Sequence, residues 1–301
     1  RWEFYHQKEV KVGFDIDLLN DITKGGLSKK TLNIALAGTG VGKSMFMCHC
    51  AAANLRDNKN VLYITLEMAE ERIAERIDAN LMGVTIDEVH MFPQDVYDKK
   101  INRMRQNHKG KIVIKEYPTT GAGANHFRYL LNELKIKRNF VPDVVYVDYL
   151  NICMSARIKY GAGVNSYTSI KAIAEELRGL AVEYDVPVVS ATQTTRSGFT
   201  SSDLGLEDTS ESFGLPATAD FMFALISTEE LEDLNQILIK QLKNRYYDPT
   251  LNKRFVVGID RSKMRLYDVD DAQKDLVDAG AEEQVVKKVQ GKKSFAELKY
   301  D

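Results

Sequence analysis

The sequence predicts an α/β fold: a mostly parallel twisted sheet with helices on both faces, continued by an antiparallel hairpin extension. Three observations carry this. Short apolar runs alternate with segments of helical period between residues 32 and 192, the pattern of parallel strands joined by crossover helices. Several of those runs stop abruptly at one polar or glycine-rich stretch, as strands do at the ligand edge of a parallel sheet. The last third carries four closely spaced apolar runs, 221–226, 236–241, 255–259 and 264–267, with turns between them.

Composition sets outer bounds. The chain has 301 residues, 44% hydrophobic and 28% charged, an ordinary globular balance. No apolar run approaches the roughly 18 residues that cross a bilayer, and the start has no signal-peptide pattern, so a cytoplasmic protein without membrane contact is expected. Cys48, Cys50 and Cys153 have no zinc spacing and read as reduced core thiols, with His49 a helix-face residue. A formal net charge of -2 argues against a coat-like or histone-like nucleic-acid binder, but leaves room for a narrow basic channel. The chain starts at Arg1 without a methionine, which suggests a fragment.

In chain order, residues 1–11 are polar and aromatic without a period and read as a linker or docking arm. Apolar positions 14, 18, 19 and 22 suit a short helix that ends at Gly25-Gly26. Leu32, Ile34 and Leu36 read as a strand. It breaks into Ala37-Gly38-Thr39-Gly40-Val41-Gly42-Lys43-Ser44, and Met45-Phe46-Met47 then opens a helix. This strand, glycine-rich turn and helix form a phosphate-binding loop: glycines let backbone N–H groups turn inward, and the helix N-terminus adds partial positive charge. Lys43 is placed to reach β- and γ-phosphates and the Ser44 hydroxyl to ligate Mg²⁺, which implies ATP or another nucleoside triphosphate. Ala37 stands where the motif usually has glycine. A turn that binds nothing is the alternative, and the flanking strand and helix disfavour it.

After a turn at 57–60, a strand at 61–66 ends at Glu67, which suits either a base acting on water or a carboxylate capping the helix expected over Met68–Asn80. A strand at Ile112–Glu116, a turn at 118–124 and a helix around Asn125–Lys137 follow. Val144–Tyr149 is an apolar strand that closes on Asp148, the Walker B pattern for a carboxylate holding a Mg²⁺ hydration shell opposite Ser44. Residues 155–165, with Arg157 and Lys159, read as a loop. A long helix is expected over Ser166–Tyr184, then a strand at 186–192 that ends at Gln193, either a γ-phosphate sensor or a plain strand end. The loop 194–208 is rich in Ser, Thr and Gly and holds Arg196. Lys243-Asn244-Arg245 lies between two of the later runs. The tail from 268 is acidic, then basic, with Phe295–Leu298 as a short docking motif; a solvated tail is the safer alternative.

Several of these residues together resemble the RecA-like P-loop NTPase motor domain of DnaB-type hexameric replicative helicases, in particular the T-even-type bacteriophage branch. They are Gly13-Phe14-Asp15 with Gly25-Gly26-Leu27, Ala37–Ser44, Leu66-Glu67-Met68, Val147-Asp148-Tyr149-Leu150, Gln193 and Lys243-Asn244-Arg245. That family commonly has alanine at the position of Ala37. The resemblance implies a motor domain over 12–267, a charged tail over 268–301 and an N-terminal assembly domain absent from this chain. It makes Glu67 the catalytic base, Asp148 the Walker B carboxylate and Gln193 the link from γ-phosphate to DNA-binding loops. Arg245, with Lys243 beside it, becomes an arginine finger for the neighbouring subunit. It also implies a homo-hexameric ring on single-stranded DNA, with primase and a helicase loader as partners. DNA contacts fall on Arg157 and Lys159, on Arg196, and on the 208–214 segment with Ser210, Glu211 and Gly214; Ser210 stands where many relatives have arginine. A recombinase-type filament on the same core and a non-motor ATP-dependent switch are the rivals. Filaments on DNA would favour the first, and slow DNA-independent turnover the second.

Overall fold

The computed structural model describes residues 2, 6, 9–158, 165–194, 204–209 and 214–269. The elements that frame the sheet are α1 (Asp17–Ile22), β1 (Leu32–Ala37), α2 (Lys43–Arg56), β2 (Val61–Thr65), α3 (Glu70–Met82), α4 (Ile86–Met91), α5 (Gln94–Asn107) and β3 (Ile112–Glu116). There follow α6 (Ala124–Arg138), β4 (Val144–Asp148), α7 (Ser166–Tyr184), β5 (Val188–Gln193), α8 (Gly214–Thr218) and β6 (Phe221–Ile226). The last are α9 (Glu229–Asp233), β7 (Gln236–Asn244), β8 (Arg254–Asp260) and β9 (Arg265–Asp268).

The strands form one sheet in the order β3-β2-β4-β5-β1-β6-β7-β8-β9. β1 is buried along its whole length, so both of its faces are core. Leu32 and Ile34 pack under α6 and α7 with Phe127, Leu131, Ile173 and Leu177. Ala35 and Ala37 face α2 with Met45, Phe46 and Met47, and their small side chains let that helix lie close to the strand. Near-continuous apolar runs of this kind are what a strand covered on both faces requires. An aromatic cluster joins the first segment to the sheet: Phe14 lies 6.3 Å from Phe46, and Phe46 5.1 Å from Phe223. Burying each ring is worth about 1.5–3 kcal/mol.

Three details differ from what the sequence leads one to expect. The 221–226 run is a parallel partner of β1, and the antiparallel extension begins at β7. The helix after Glu67 starts at Glu70 instead of Met68, because Thr65 Oγ1 exchanges hydrogen bonds with the Met68 backbone and holds a bend there. Residues 86–107, for which the sequence reading gives no element, form α4 and α5; neither fully buries a residue, and Val96, Tyr97, Ile101 and Met104 give α5 one half-buried apolar face. The available signal was a capping box: Thr85 Oγ1 accepts from the Glu88 N–H, and the Glu88 carboxylate accepts from the Thr85 N–H. Among the described residues, no helix is long and apolar enough to cross a membrane.

Candidate active site

Sheet order places the chemistry. The C-terminal ends of β2, β4, β5 and β1 are consecutive neighbours, with Thr65 opposite Asp148 and Ala37 opposite Gln193. Glu67, Asp148, Gln193 and the loop after Ala37 therefore stand in a row, about 15 Å across at ~4.8 Å per strand.

The loop is shaped by backbone conformations that side chains resist. Gly40 has φ 80° and Gly42 φ 126°. Gly42 also caps α2 with no side-chain hydrogen bond, so the first N–H groups of this 14-residue helix remain available to an anion. Gly38 is buried, Thr39 and Gly40 are exposed, and Val41 and Ser44 are half-buried. The Lys43 ammonium folds back over the loop and donates to the carbonyls of Gly38 at 2.9 Å and Ala37 at 3.2 Å. Burial lowers its pKa, while the charges of Glu67 and Asp148 oppose that shift.

Asp148 has no solvent exposure. Its Oδ2 accepts from the Tyr63 hydroxyl at 3.0 Å, and its Oδ1 is buried without a hydrogen-bond partner. Burial pushes its pKa up; the Ser44 and Tyr63 hydroxyls pull it down, and the Glu67 charge adds to the rise. An unmatched buried carboxylate oxygen costs free energy unless a cation or its water completes it. With the Ser44 hydroxyl beside it, this all-oxygen set fits Mg²⁺. No group of three or more His, Cys, Asp or Glu with ligand geometry occurs among the described residues. The cysteines are free and buried, and burial pushes the Cys48 thiol up to about 12.

Glu67 is exposed in the bend after β2, and the cap of α3 is Ala69, so the helix-capping alternative for Glu67 falls away. Its charge acts on Lys43, Asp148 and Tyr149, which puts it at the same crevice. Gln193 is the last residue of β5 and donates from Nε2 to the Tyr149 hydroxyl at 3.0 Å.

Arg245 and Lys243 lie at the opposite end of the sheet. Lys243 pairs with Met222 and Asn244 with Phe221, whereas Ala37 pairs with Leu225. Four residues of strand, about 13 Å, separate the two levels. The Arg245 guanidinium donates to Asp220 Oδ1 at 2.8 Å and to the Ala217 carbonyl at 3.0 Å. Lys243 donates to the carbonyls of Pro216, Ala217 and Ala219. The Arg157 guanidinium turns onto α7, pairing with Glu175 at 2.7 Å and Glu176 at 3.3 Å. Gly214 is buried at the start of α8 against Lys171. Lys159, Arg196, Ser210 and Glu211 lie outside the described residues, as does the tail from 270.

Two contributors escape a reading by motif. Tyr63 holds Asp148; a tyrosine in a run otherwise suited to full burial was the available signal, since its hydroxyl needs a partner. Asp220 receives Arg245 and also Arg178, at 2.9 and 3.1 Å, and nothing in the local pattern announces it.

Comparison with known proteins shows the family and the fold. Residues 10–247 match the family described as DnaB-like helicase C terminal domain. The chain is 47% identical over 274 residues to the DnaB-like replicative helicase of Enterobacteria phage T4, covering 90% of this chain and 57% of that protein. It is 24% identical over 204 residues to the replicative DNA helicase DnaB of Helicobacter pylori, covering 66% of this chain and 40% of that protein. The chain thus spans little more than half, or less, of the length of these relatives. In fold it is similar to the ATPase domain of the protein G40P, at a TM-score of 0.73, 18% identity, and coverage of 89% of this chain and 95% of that one. A DnaB-like replicative helicase solved for its interactions with primase gives a TM-score of 0.72 at 18% identity, over 89% of this chain and 64% of that one. With a RecA-like sheet, a phosphate loop and an acidic row at its edge, the chain belongs to the family of DnaB-like helicase C-terminal domains.

Proposed function

We propose that this chain is the ATP-hydrolysing motor of a ring-forming replicative DNA helicase that moves on single-stranded DNA and unwinds duplex. One observation carries the reading furthest: a buried carboxylate with an unpaired oxygen stands between a phosphate cradle and an exposed glutamate. Ala37–Ser44 bind the triphosphate through backbone N–H groups and the α2 N-terminus. Lys43 leaves its loop carbonyls for the β- and γ-phosphate oxygens. The Ser44 hydroxyl and Asp148 would hold Mg²⁺, which when bound would supply charge neutralisation at the phosphates. Glu67 orients the attacking water and accepts its proton. Gln193, hydrogen-bonded to Tyr149 and at the root of the 194–203 segment, relays the state of the γ-phosphate.

Arg245 acts on a neighbouring copy. Its level on the sheet supports this, because a strand length separates it from its own loop. A finger supplied in trans stabilises charge at the γ-phosphate and makes hydrolysis depend on assembly, which supports a hexameric ring. Phosphate-backbone contacts repeated around such a ring reconcile DNA binding with a net charge of -2. Primase and a loader are partners of the full assembly.

The test is ATP turnover of the assembled protein with and without single-stranded DNA. DNA should stimulate turnover, and Glu67→Gln should keep nucleotide affinity while losing about 10²–10⁴-fold in rate. Undiminished turnover in Glu67→Gln removes it as the base, and DNA-independent turnover removes the motor reading.

A further inference from the structure

The geometry points to Tyr63 as a positioning residue for hydrolysis: its hydroxyl holds Asp148 Oδ2 so that Oδ1 is presented to the metal side of the site. The inference rests on the reading of Asp148 as the carboxylate of the Mg²⁺ shell.

The argument starts from a soft torsion. The terminal χ2 of an aspartate is broad and roughly two-fold, so burial alone does not decide which oxygen faces the ligand. At Asp148 the bond at hydrogen-bonding distance comes from Tyr63, with the Ser44 hydroxyl also acting on the carboxylate. Tyr63 lies on the adjacent strand, two residues before Thr65, which pairs with Asp148. Its ring is fully buried and stacks on Tyr146 at a centroid distance of 5.8 Å, so its hydroxyl has a fixed reach. That hydroxyl donates to Oδ2 at 3.0 Å, and Oδ1 is left without a partner.

The donor is itself directed. The Cys48 thiol, on the first turns of α2, donates to the Tyr63 oxygen at 3.8 Å. With its oxygen occupied by that weak bond, Tyr63 gives its one proton to Asp148. The chain Cys48, Tyr63, Asp148 thus runs from the helix that carries the phosphate loop to the carboxylate opposite that loop. The stacked neighbour Tyr146 makes the contrast: its hydroxyl donates to Asn54 Oδ1 at 2.7 Å, and Asn54 in turn donates to the Gly13 carbonyl at 2.7 Å. Two tyrosines packed face to face therefore serve different ends, one tying the first segment of the chain to α2 and the other setting the orientation of Asp148.

The test uses Mn²⁺ as the probe, with ADP, on the full chain, reading bound metal by electron paramagnetic resonance and turnover separately. Tyr63→Phe keeps the ring and its stack. It should weaken Mn²⁺ binding about 10-fold, the scale of losing a partner behind a metal ligand, and raise the Mg²⁺ needed for half-maximal turnover in parallel. Affinity for ADP without metal should stay at the wild-type value, which separates positioning from a packing role, while the melting temperature falls because buried Oδ2 loses its donor. Asp148→Asn serves as the reference. Wild-type Mn²⁺ affinity in Asp148→Asn overturns the reading of that carboxylate. Loss there together with wild-type affinity in Tyr63→Phe overturns the positioning role alone. If Tyr63→Phe does not fold, Cys48→Ala carries the test. It frees the Tyr63 oxygen and should weaken Mn²⁺ about two- to threefold, the weight of one weak hydrogen bond. Unchanged affinity there overturns the proposal.

Discussion

Two aspartates, each without solvent exposure, sit at opposite ends of the same sheet, and the protein treats them in opposite ways. Asp220 is saturated. It takes a two-pronged hydrogen bond from Arg178, a third from Arg245 at 2.8 Å and a fourth from the Leu32 N–H at 3.0 Å. Asp148 meets neutral hydroxyls alone, Tyr63 donating to Oδ2 at 3.0 Å and Ser44 nearby, with no guanidinium and with Oδ1 unpartnered. A buried charge with two guanidinium partners is part of the scaffold. A buried carboxylate with none is the one we propose as a metal ligand. The two aspartates are equally buried, so what distinguishes them is the missing partner of Asp148 Oδ1. On the proposal that Arg245 acts on a neighbouring copy, Arg178 would still neutralise Asp220 once Arg245 leaves.

Variants at both ends put the comparison at risk. The largest effect belongs to Asp220→Asn, which leaves two guanidinium groups around a neutral amide and should cost about 3–5 kcal/mol in denaturant unfolding. Asp148→Asn should do the reverse, leaving stability equal or higher while turnover falls about 10²–10³-fold. A large stability loss in Asp148→Asn with none in Asp220→Asn would break the contrast.

A buried group of the other sign sharpens it. His49 is completely buried, and its Nδ1 accepts from the Leu266 N–H at 3.3 Å, joining α2 to β9. Burial, opposed by Asp15 and aided by Arg56 and Arg265, lowers its pKa from 6.5 to about 4. The unfolded chain therefore takes up the proton first as pH falls. The contribution of neutral His49 is complete above about pH 6.5 and is lost towards pH 4, about 3 kcal/mol in all. Unfolding free energies measured between pH 7 and 4 should fall less steeply in His49→Gln than in the wild type.

The smallest stability effect belongs to Arg245→Ala, about 1 kcal/mol or less, because Arg178 remains on Asp220. The same variant, mixed into wild-type assemblies, should reduce turnover more than its share of subunits. Turnover that merely follows the wild-type fraction would place Arg245 with Asp220 as scaffold only.

Much of the local structure around the candidate site was legible from local pattern. The loop Ala37–Ser44, the strand closing on Asp148 and the helix Ser166–Tyr184 each announce themselves within a dozen residues, because glycine tolerance, apolar runs and helical period are short-range properties. Other features were not legible, for one shared reason. The parallel attachment of Phe221–Ile226 to β1, the partner of the Tyr63 hydroxyl and the convergence of Arg178 and Arg245 on Asp220 all depend on which strand lies beside which. Helices α4 and α5 escaped for a different reason: they bury no residue fully, and the short stripe Tyr97, Ile101 and Met104 of α5 is only half-buried.

Sequence by itself determined the fold class, the phosphate loop, and the residue types Glu67, Asp148 and Gln193 at the ends of their strands. Only the tertiary structure decided that these ends are neighbours, that one oxygen of Asp148 is held and the other left bare, and that Arg245 lies a strand length from the loop of its own chain. The reason is that a strand's side-chain alternation is written along the chain, whereas its neighbours in the sheet are chosen by contacts between segments far apart in sequence.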